Sequence, residues 1–269
     1  MQNRVLAVIG AGGMGHAIAR RLGSGNTVLL ADLREDILRS VGEALQREGH
    51  HVITRLVDVS SPESVRDLAG TAASLGQVAQ IAHTAGLSPV QAPALAILKV
   101  DLLGVALVLD EFCTVVAEGG AGVVISSMAG HFAPPFSPEQ ERALFSIAAA
   151  ELLSLPFLSQ IDDPGAAYAV AKRANHLRIQ GASARWRNKG ARVNSISPGI
   201  ISTSMGRQEL SSEHGELMRA MIESSPARRV GTPDDIASAA AFLLGPESSF
   251  VTGTDLLVDG GAVAAVRTG

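Results

Sequence analysis

Seven short apolar runs, Val5–Ile9, Thr27–Ala31, Val52–Val57, Val78–His83, Gly122–Ser126, Arg192–Ile196 and Asp255–Val258, each end in small or polar residues and read as buried strands. Helix-like stretches separate them, among them Met14–Leu22, Glu35–Arg47, Pro62–Ser74, Ala166–Arg187 and Pro233–Leu244. Strands that alternate with helices run parallel, and right-handed crossovers place the helices on both faces of the sheet. The expected fold class is therefore α/β, a doubly wound parallel sheet of seven strands. Apolar residues make up 46% of the chain and aromatics only 3%, so Ala, Val, Leu and Ile must build its core. No repeat, low-complexity tract or long linker divides the chain, and residues 1–269 are expected to form a single domain.

The stretch 131–165 breaks the rhythm. It opens with Ala133-Pro134-Pro135 and continues Ser137-Pro138-Glu139, a serine able to cap a helix followed by a proline suited to its first position. Its apolar, alanine-rich body from Glu139 to Leu153 predicts one inserted helix.

Charge and cysteine content narrow the function classes. The 22 basic and 26 acidic side chains leave a mild net charge of −4, evenly spread, which argues against a nucleic-acid or membrane partner. Cys113 is the only cysteine, so neither an intrachain disulfide nor a cysteine-built metal centre is available, in keeping with a reducing compartment. The seven histidines form no HExxH-like pattern, and no metal site is expected. Met1-Gln2-Asn3-Arg4 leads into a short apolar stretch containing glycines, unlike a membrane span or a cleavable signal, and a cytoplasmic location is expected.

The first predicted strand runs into Gly10-Ala11-Gly12-Gly13-Met14-Gly15, a GxGxxG pattern at a strand-turn-helix. Such a turn needs backbone angles that side chains resist. The backbone must also approach a pyrophosphate closely, and the helix start supplies free N–H groups with a partial positive charge. Asp32 ends the second strand, where a carboxylate can accept the ribose hydroxyl protons of an adenosine and repel a 2′-phosphate. Leu33 follows instead of a lysine or arginine, so NAD is the expected cofactor, with Arg34 the one residue that favours NADP. Asp58-Val59 and Ala85-Gly86 fall at the carboxyl ends of the third and fourth strands, the edge where parallel sheets bind ligands.

Tyr168-Ala169-Val170-Ala171-Lys172 lies within the long helical stretch, and its spacing puts phenol and ammonium on one face. An ordinary tyrosine titrates near ~10 and is a poor base at neutral pH. A neighbouring ammonium, a nicotinamide cation and a hydrogen-bonding hydroxyl all favour the phenolate, which suits the pair to passing a proton to or from a substrate oxygen. Ser126-Ser127 ends the fifth strand at the same edge, where a serine hydroxyl can bind the reacting oxygen.

In their order along the chain, these residues resemble the short-chain dehydrogenase/reductase family. Asn194-Ser195-Ile196-Ser197-Pro198-Gly199, Thr252-Gly253 and Val258-Asp259-Gly260-Gly261 extend the likeness over nearly the whole sequence. The resemblance implies a Rossmann-like fold with Tyr168 as acid/base, Lys172 binding the nicotinamide ribose and lowering the tyrosine pKa, and Ser127 holding the substrate oxygen. It also implies that Pro198, Gly199, Ile201 and Thr203 hold the nicotinamide carboxamide and that residues 204–225 form a mobile substrate lid. Members are commonly homo-oligomers, tetramers or dimers, with the helix that carries the tyrosine packed against its symmetry mate.

The chain departs from the family pattern in several places. The glycine loop is one residue shorter than TGxxxGxG, with Ile9 where threonine is common. His83-Thr84-Ala85-Gly86 replaces NNAG, and His83 reads as a structural substitute for asparagine. In Val100-Asp101-Leu102-Leu103-Gly104, Asp101 occupies the place of an asparagine that bends a helix and holds a water in the proton relay. Asp101 is expected to keep the relay role while its charge offsets part of the effect of Lys172. The insertion separates Ser127 from Tyr168 beyond the usual family spacing, as in the similar bacterial 3α-hydroxysteroid dehydrogenase/carbonyl reductases, and is expected to cover substrate or build an oligomer contact.

The sequence thus predicts an NAD(H)-dependent oxidoreductase that interconverts a secondary alcohol and a ketone or aldehyde. Its apolar insertion and Met205, Met218 and Met221 in the lid point to a bulky, steroid-like small molecule. Two readings compete: a non-catalytic NAD(H)-binding regulator on the same fold, and a nucleotide-sugar epimerase or dehydratase. The latter usually appends a longer C-terminal region than the eight residues that follow Gly261 here.

Overall fold

Strand β1 (Arg4–Ile9) turns Val5, Ala7 and Ile9 into one core and Leu6 and Val8 into another, and all five are fully buried. A strand apolar on both sides has to lie in the middle of a covered sheet. The computed structural model describes residues 3–268 and places β1 there; Met1 and Gln2 of the N-terminal reading, with Gly269, lie outside the described residues. The other strands are β2 (Thr27–Asp32), β3 (His51–Leu56), β4 (Gln77–His83), β5 (Val116–Ile125), β6 (Arg192–Pro198) and β7 (Asp255–Val258), and β1 itself pairs with β2 and β4. The described residues form one seven-stranded sheet in the order β3-β2-β1-β4-β5-β6-β7, parallel throughout.

The crossovers are helical: α1 (Gly13–Leu22), α2 (Glu35–Arg47), α3 (Pro62–Leu75), α4 (Ala94–Ile97) and α5 (Gly104–Val115) join the first five strands. Between β5 and β6 come α6 (Ala129–Phe132), α7 (Pro138–Ser146), α8 (Pro156–Ser159) and α9 (Pro164–Trp186). The last crossover holds α10 (Ser204–Leu210), α11 (Gly215–Ser224) and α12 (Pro233–Leu244), and α13 (Ala262–Thr268) follows β7. One core packs Val65 and Leu68 of α3, Phe112 of α5 and Ile179 and Trp186 of α9 against the sheet. The other packs Ile18 of α1, Leu38 and Leu45 of α2 and Ile236 and Leu243 of α12. The chain leaves β1 towards β2 and β3, then returns to β4 on its other side. That reversal opens a crevice beyond the carboxyl ends of β1 and β4. Among the described residues, no helix is long and apolar enough to cross a membrane.

Two expectations need correction. Strand β5 begins at Val116, well before Gly122, because its register on β4 jumps from Val78↔Val116 to Gln80↔Ala121. The polar Glu118-Gly119-Gly120 segment bulges out between these pairs, with Gly119 at φ +72, and so hides the strand from a hydrophobicity pattern. The insertion, expected as one helix over Glu139–Leu153, is instead broken into α7, a 3-10 turn at Ala149–Ser154 and α8. Buried Arg178 of α9 takes the carbonyls of Leu144 and Ile147 at 3.3 and 2.6 Å, which an unbroken helix would need for itself. Ile147 and Ala148 are extended, and Leu155 is extended before Pro156, as the proline ring requires.

Ser137 caps α7 as its sequence predicts: its hydroxyl accepts from Gln140 N–H at 3.2 Å, and the Gln140 side chain accepts from Ser137 N–H at 2.8 Å. Ser137→Ala is expected to lower stability by about 1 kcal/mol, read as a lower urea midpoint at unchanged slope. An unchanged midpoint would mean that packing alone holds α7.

Candidate active site

The turn after β1 is stitched to both neighbouring strands. Gly10 N–H donates to Ala31 O at 2.7 Å, and Gly10 O accepts the Thr84 hydroxyl at 2.7 Å. Gly10 sits at φ +99, and a Cβ there would stand 2.4 Å from Ala85 N, so no other residue fits without moving the loop. Thr84, which the sequence reading passed over, therefore braces the glycine loop that Ile9 cannot. Beyond the turn, Gly12 caps α1 with no side-chain hydrogen bond, no acidic residue occupies the first turn, and a Cβ on Gly12 would meet open space. The N–H groups at the start of α1 thus face an accessible surface suited to an anion.

One cleft gathers Gly10, Gly12, Met14, Asp32, Leu33, Asp58, Val59, Ala85, Gly86 and Thr203. Gly15 stands behind it, where a Cβ would meet Gly10 O at 1.9 Å. The Asp32 carboxylate accepts from Ala11 N–H at 2.7 Å and Arg34 N–H at 2.9 Å, which fixes its direction. Leu33 beside it is two-thirds exposed. The Arg34 guanidinium grips Asp36 through Nε at 3.2 Å and Nη2 at 2.6 Å. Thr203 caps α10 and lies against the glycine loop, its Cγ2 3.2 Å from where a Cβ of Gly13 would be. Gly199 and Ile201 line a neighbouring hollow, and Pro198 ends β6, its carbonyl accepting from Met128 N–H at 2.8 Å. Across the cleft mouth, Gln91 Nε2 donates to Gln208 Oε1 of α10 at 3.0 Å.

Beyond the cleft, α9 brings Tyr168 and Lys172 to one face, and the Lys172 ammonium lies 5.3 Å from the centre of the tyrosine ring. Lys172 Nζ is buried, 2.9 Å from Asp101 Oδ1 and 3.2 Å from Ile125 O. Asp101 is itself fully buried in a π-helical turn, Leu98–Leu103, between α4 and α5. Its other carboxylate oxygen accepts from Leu87 N–H at 3.0 Å, and its carbonyl accepts from Asn175 Nδ2 at 2.9 Å. Gly86 makes room for the pair, since a Cβ there would stand 2.6 Å from Asp101 Oδ1. Burial drives the Lys172 pKa down, but Asp101 and then Tyr168 more than reverse this, so the ammonium is held.

Burial pushes the Tyr168 phenol above its ordinary value. Lys172 opposes that rise, Asp101 adds to it, and a hydrogen bond with Ser127 opposes it again. The pull of Lys172 expected from the sequence is therefore present, but within the chain itself it does not prevail. A further carboxyl on α10, Glu209, also raises the tyrosine and is itself pushed up by burial. Its place within the 204–225 stretch was the only sequence signal for it. Ser127 faces Tyr168 and accepts from Ala129 N–H at 3.1 Å, whereas Ser126 is buried and donates to Lys172 O at 2.8 Å. His83 is buried at the end of β4, its pKa lowered to about 3 by burial and then by Lys172, so it stands neutral beside the ion pair.

Comparison with known proteins bears on this arrangement. A family model described as short chain dehydrogenase matches residues 4–138, and one described as enoyl-(acyl carrier protein) reductase matches residues 157–263. A short-chain dehydrogenase/reductase of Alternaria brassicicola is 43% identical over 266 residues, covering 98% of this chain and 97% of the relative. A 3-alpha-hydroxysteroid dehydrogenase/carbonyl reductase of Comamonas testosteroni is 27% identical over 84% of this chain and 91% of its own. Among solved structures, gox2181 superposes with a TM-score of 0.77 at 26% identity, covering 98% of this chain and 97% of that one. Actinorhodin polyketide ketoreductase with NADPH superposes at 0.76 and 23% identity over 97% of both chains, a likeness of fold.

Proposed function

The chain belongs to the short-chain dehydrogenase/reductase family of oxidoreductases, and on that footing we propose that it uses NAD(H) to interconvert a secondary alcohol and a ketone or aldehyde. The observation that carries the reading is the convergence of Tyr168, Lys172 and Ser127 at the carboxyl edge of the sheet, beside a glycine-lined cleft. The cofactor, when bound, supplies the hydride acceptor or donor. Gly10, Gly12, Met14 and Gly15 would hold its pyrophosphate, Asp32 and Leu33 its adenosine end, with Asp58, Val59, Ala85 and Gly86 along the cleft. Pro198, Gly199, Ile201 and Thr203 would hold the carboxamide, and Tyr168 and Lys172 the ribose.

In this reading Ser127 holds the substrate oxygen by hydrogen bonding, and Tyr168 takes the hydroxyl proton in oxidation or returns it in reduction. Lys172 supplies a fixed positive charge near the phenol. Asp101 positions that ammonium and serves the proton relay. The 204–225 segment acts as the lid, and Met205 at the cleft supports a bulky apolar alcohol as substrate.

Two features support NAD over NADP: the outward carboxylate of Asp32, and Arg34, whose charge is already engaged by Asp36. Titration calorimetry is expected to show NADH binding at least about tenfold more tightly than NADPH, a difference of roughly 1.4 kcal/mol. Asp32→Ala should narrow the gap. Equal binding of the two by the wild type would overturn the cofactor assignment.

A further inference from the structure

Three residues with no place in the proposed reaction meet beside the sheet edge, none of them lining the nucleotide cleft. His131 is the third residue of α6, His176 lies one turn beyond Lys172 on α9, and Asp255 opens β7. His131 Nε2 is 2.8 Å from Asp255 Oδ2, and His176 Nε2 is 3.4 Å from Asp255 Oδ1. All three donor atoms lie within 4.8 Å of one another, and the imidazole centres are 4.9 Å apart. A tetrahedral ion with nitrogen and oxygen ligands at ~2.1 Å spaces its donors ~3.4 Å apart, so small side-chain rotations would bring the cluster to that geometry.

We propose that His131, His176 and Asp255 bind a first-row divalent cation, with Zn2+ the best match, as a structural ion that ties α6, α9 and β7 together. Two imidazoles and one carboxylate suit zinc and its transition-metal neighbours, whereas calcium and magnesium call for oxygen donors. The carboxylate already has an outer shell: Ser195 Oγ donates to Asp255 Oδ1 at 2.6 Å and Ser197 Oγ at 3.0 Å, which fixes its orientation as the partners of a ligating group do. Ser197 Oγ also stands 3.1 Å from His176 Nε2, the interaction that an ion would replace. The three side chains keep 23%, 17% and 11% of their surface, enough for an ion to enter and retain a water.

The ion would sit one helical turn from Lys172 and four residues from Ser127, fixing α6 against α9. These helices are already in close contact: a Cβ on Gly130 would lie 2.9 Å from the backbone of Lys172 and Arg173.

The test is equilibrium dialysis of chelator-treated protein against Zn2+ near neutral pH, with bound metal read by mass spectrometry and Tm read in parallel. The wild type is expected to hold one zinc per chain and to gain Tm. Asp255→Asn, which keeps the shape and much of the hydrogen bonding, and His131→Gln should each weaken binding at least about tenfold and lose the Tm gain. His214→Ala, at an exposed histidine outside the cluster, should bind like the wild type. No zinc retained by the wild type at micromolar free metal would overturn the proposal and leave a hydrogen-bonded His–Asp cluster only. Binding unchanged in both cluster variants, or lost in His214→Ala, would place any metal elsewhere and overturn it equally.

Discussion

Tyr168→Phe is expected to cut turnover of a secondary alcohol about 10²–10⁴-fold, the usual worth of a positioned general acid or base, while NADH binding, which loses one ribose contact, weakens by no more than about tenfold. The substitution removes one hydroxyl and its hydrogen bond with Ser127, so the fold should lose no more than about 1 kcal/mol. The measurement is single-turnover kinetics at the nicotinamide absorbance, with binding by calorimetry on the same preparation. Retained turnover would remove the tyrosine from the chemistry, whereas turnover and cofactor binding lost together would implicate the architecture of the cleft.

The second large effect is expected at Asp101. Asp101→Ala strands the Lys172 ammonium in a buried site with only the Ile125 carbonyl for company, and removing one partner of a buried pair costs about 3–5 kcal/mol. Urea unfolding checks this, and a loss below about 1 kcal/mol would show that the pair contributes no ionic stabilisation. Asp101→Asn separates charge from shape, because an amide can still accept from Leu87 N–H. The Asp101 charge raises the Tyr168 pKa, against Lys172 and Ser127 and alongside Glu209. Oxidation of an alcohol needs the phenolate, and removal of a charge that holds the proton on frees the phenolate at lower pH. The rising limb of the oxidation profile should therefore move to lower pH in Asp101→Asn. A limb that stays in place or moves upward would refute the electrostatic role of Asp101.

How much of this was legible in the sequence depends on the range of the interaction. The β1 turn was readable because its glycine spacing is a pattern within six consecutive residues, even though Gly10 makes room for the distant Ala85 backbone, and the Tyr168–Lys172 pair because helical spacing alone puts them on one face. The pairing of Asp101 with Lys172 was foreseeable once both were placed at one edge, and the structure brings them to 2.9 Å. The broken insertion was not readable, since what interrupts it is Arg178, a side chain from a helix that the local pattern does not include. The start of β5 was hidden by its bulge, whose polar residues carry no alternation. The meeting of His131, His176 and Asp255 left no motif because two helices and a strand supply one residue each, and only the finished packing brings them together.

The placement of β1 between β2 and β4 also governs how the molecule assembles. Ile9 pairs with Ala31 on one side and with His83 on the other, so the floor of the crevice is closed by a contact of long sequence separation. Non-local parallel pairings form slowly, because chain entropy is lost before the contact stabilises anything. A growing chain therefore has its glycine turn and Asp32 well before Thr84 arrives to brace that turn, and Tyr168 emerges later still. A ligand that needs both walls binds only the completed state and stabilises it by mass action. It acts late in biogenesis, selecting finished molecules instead of templating the first strands.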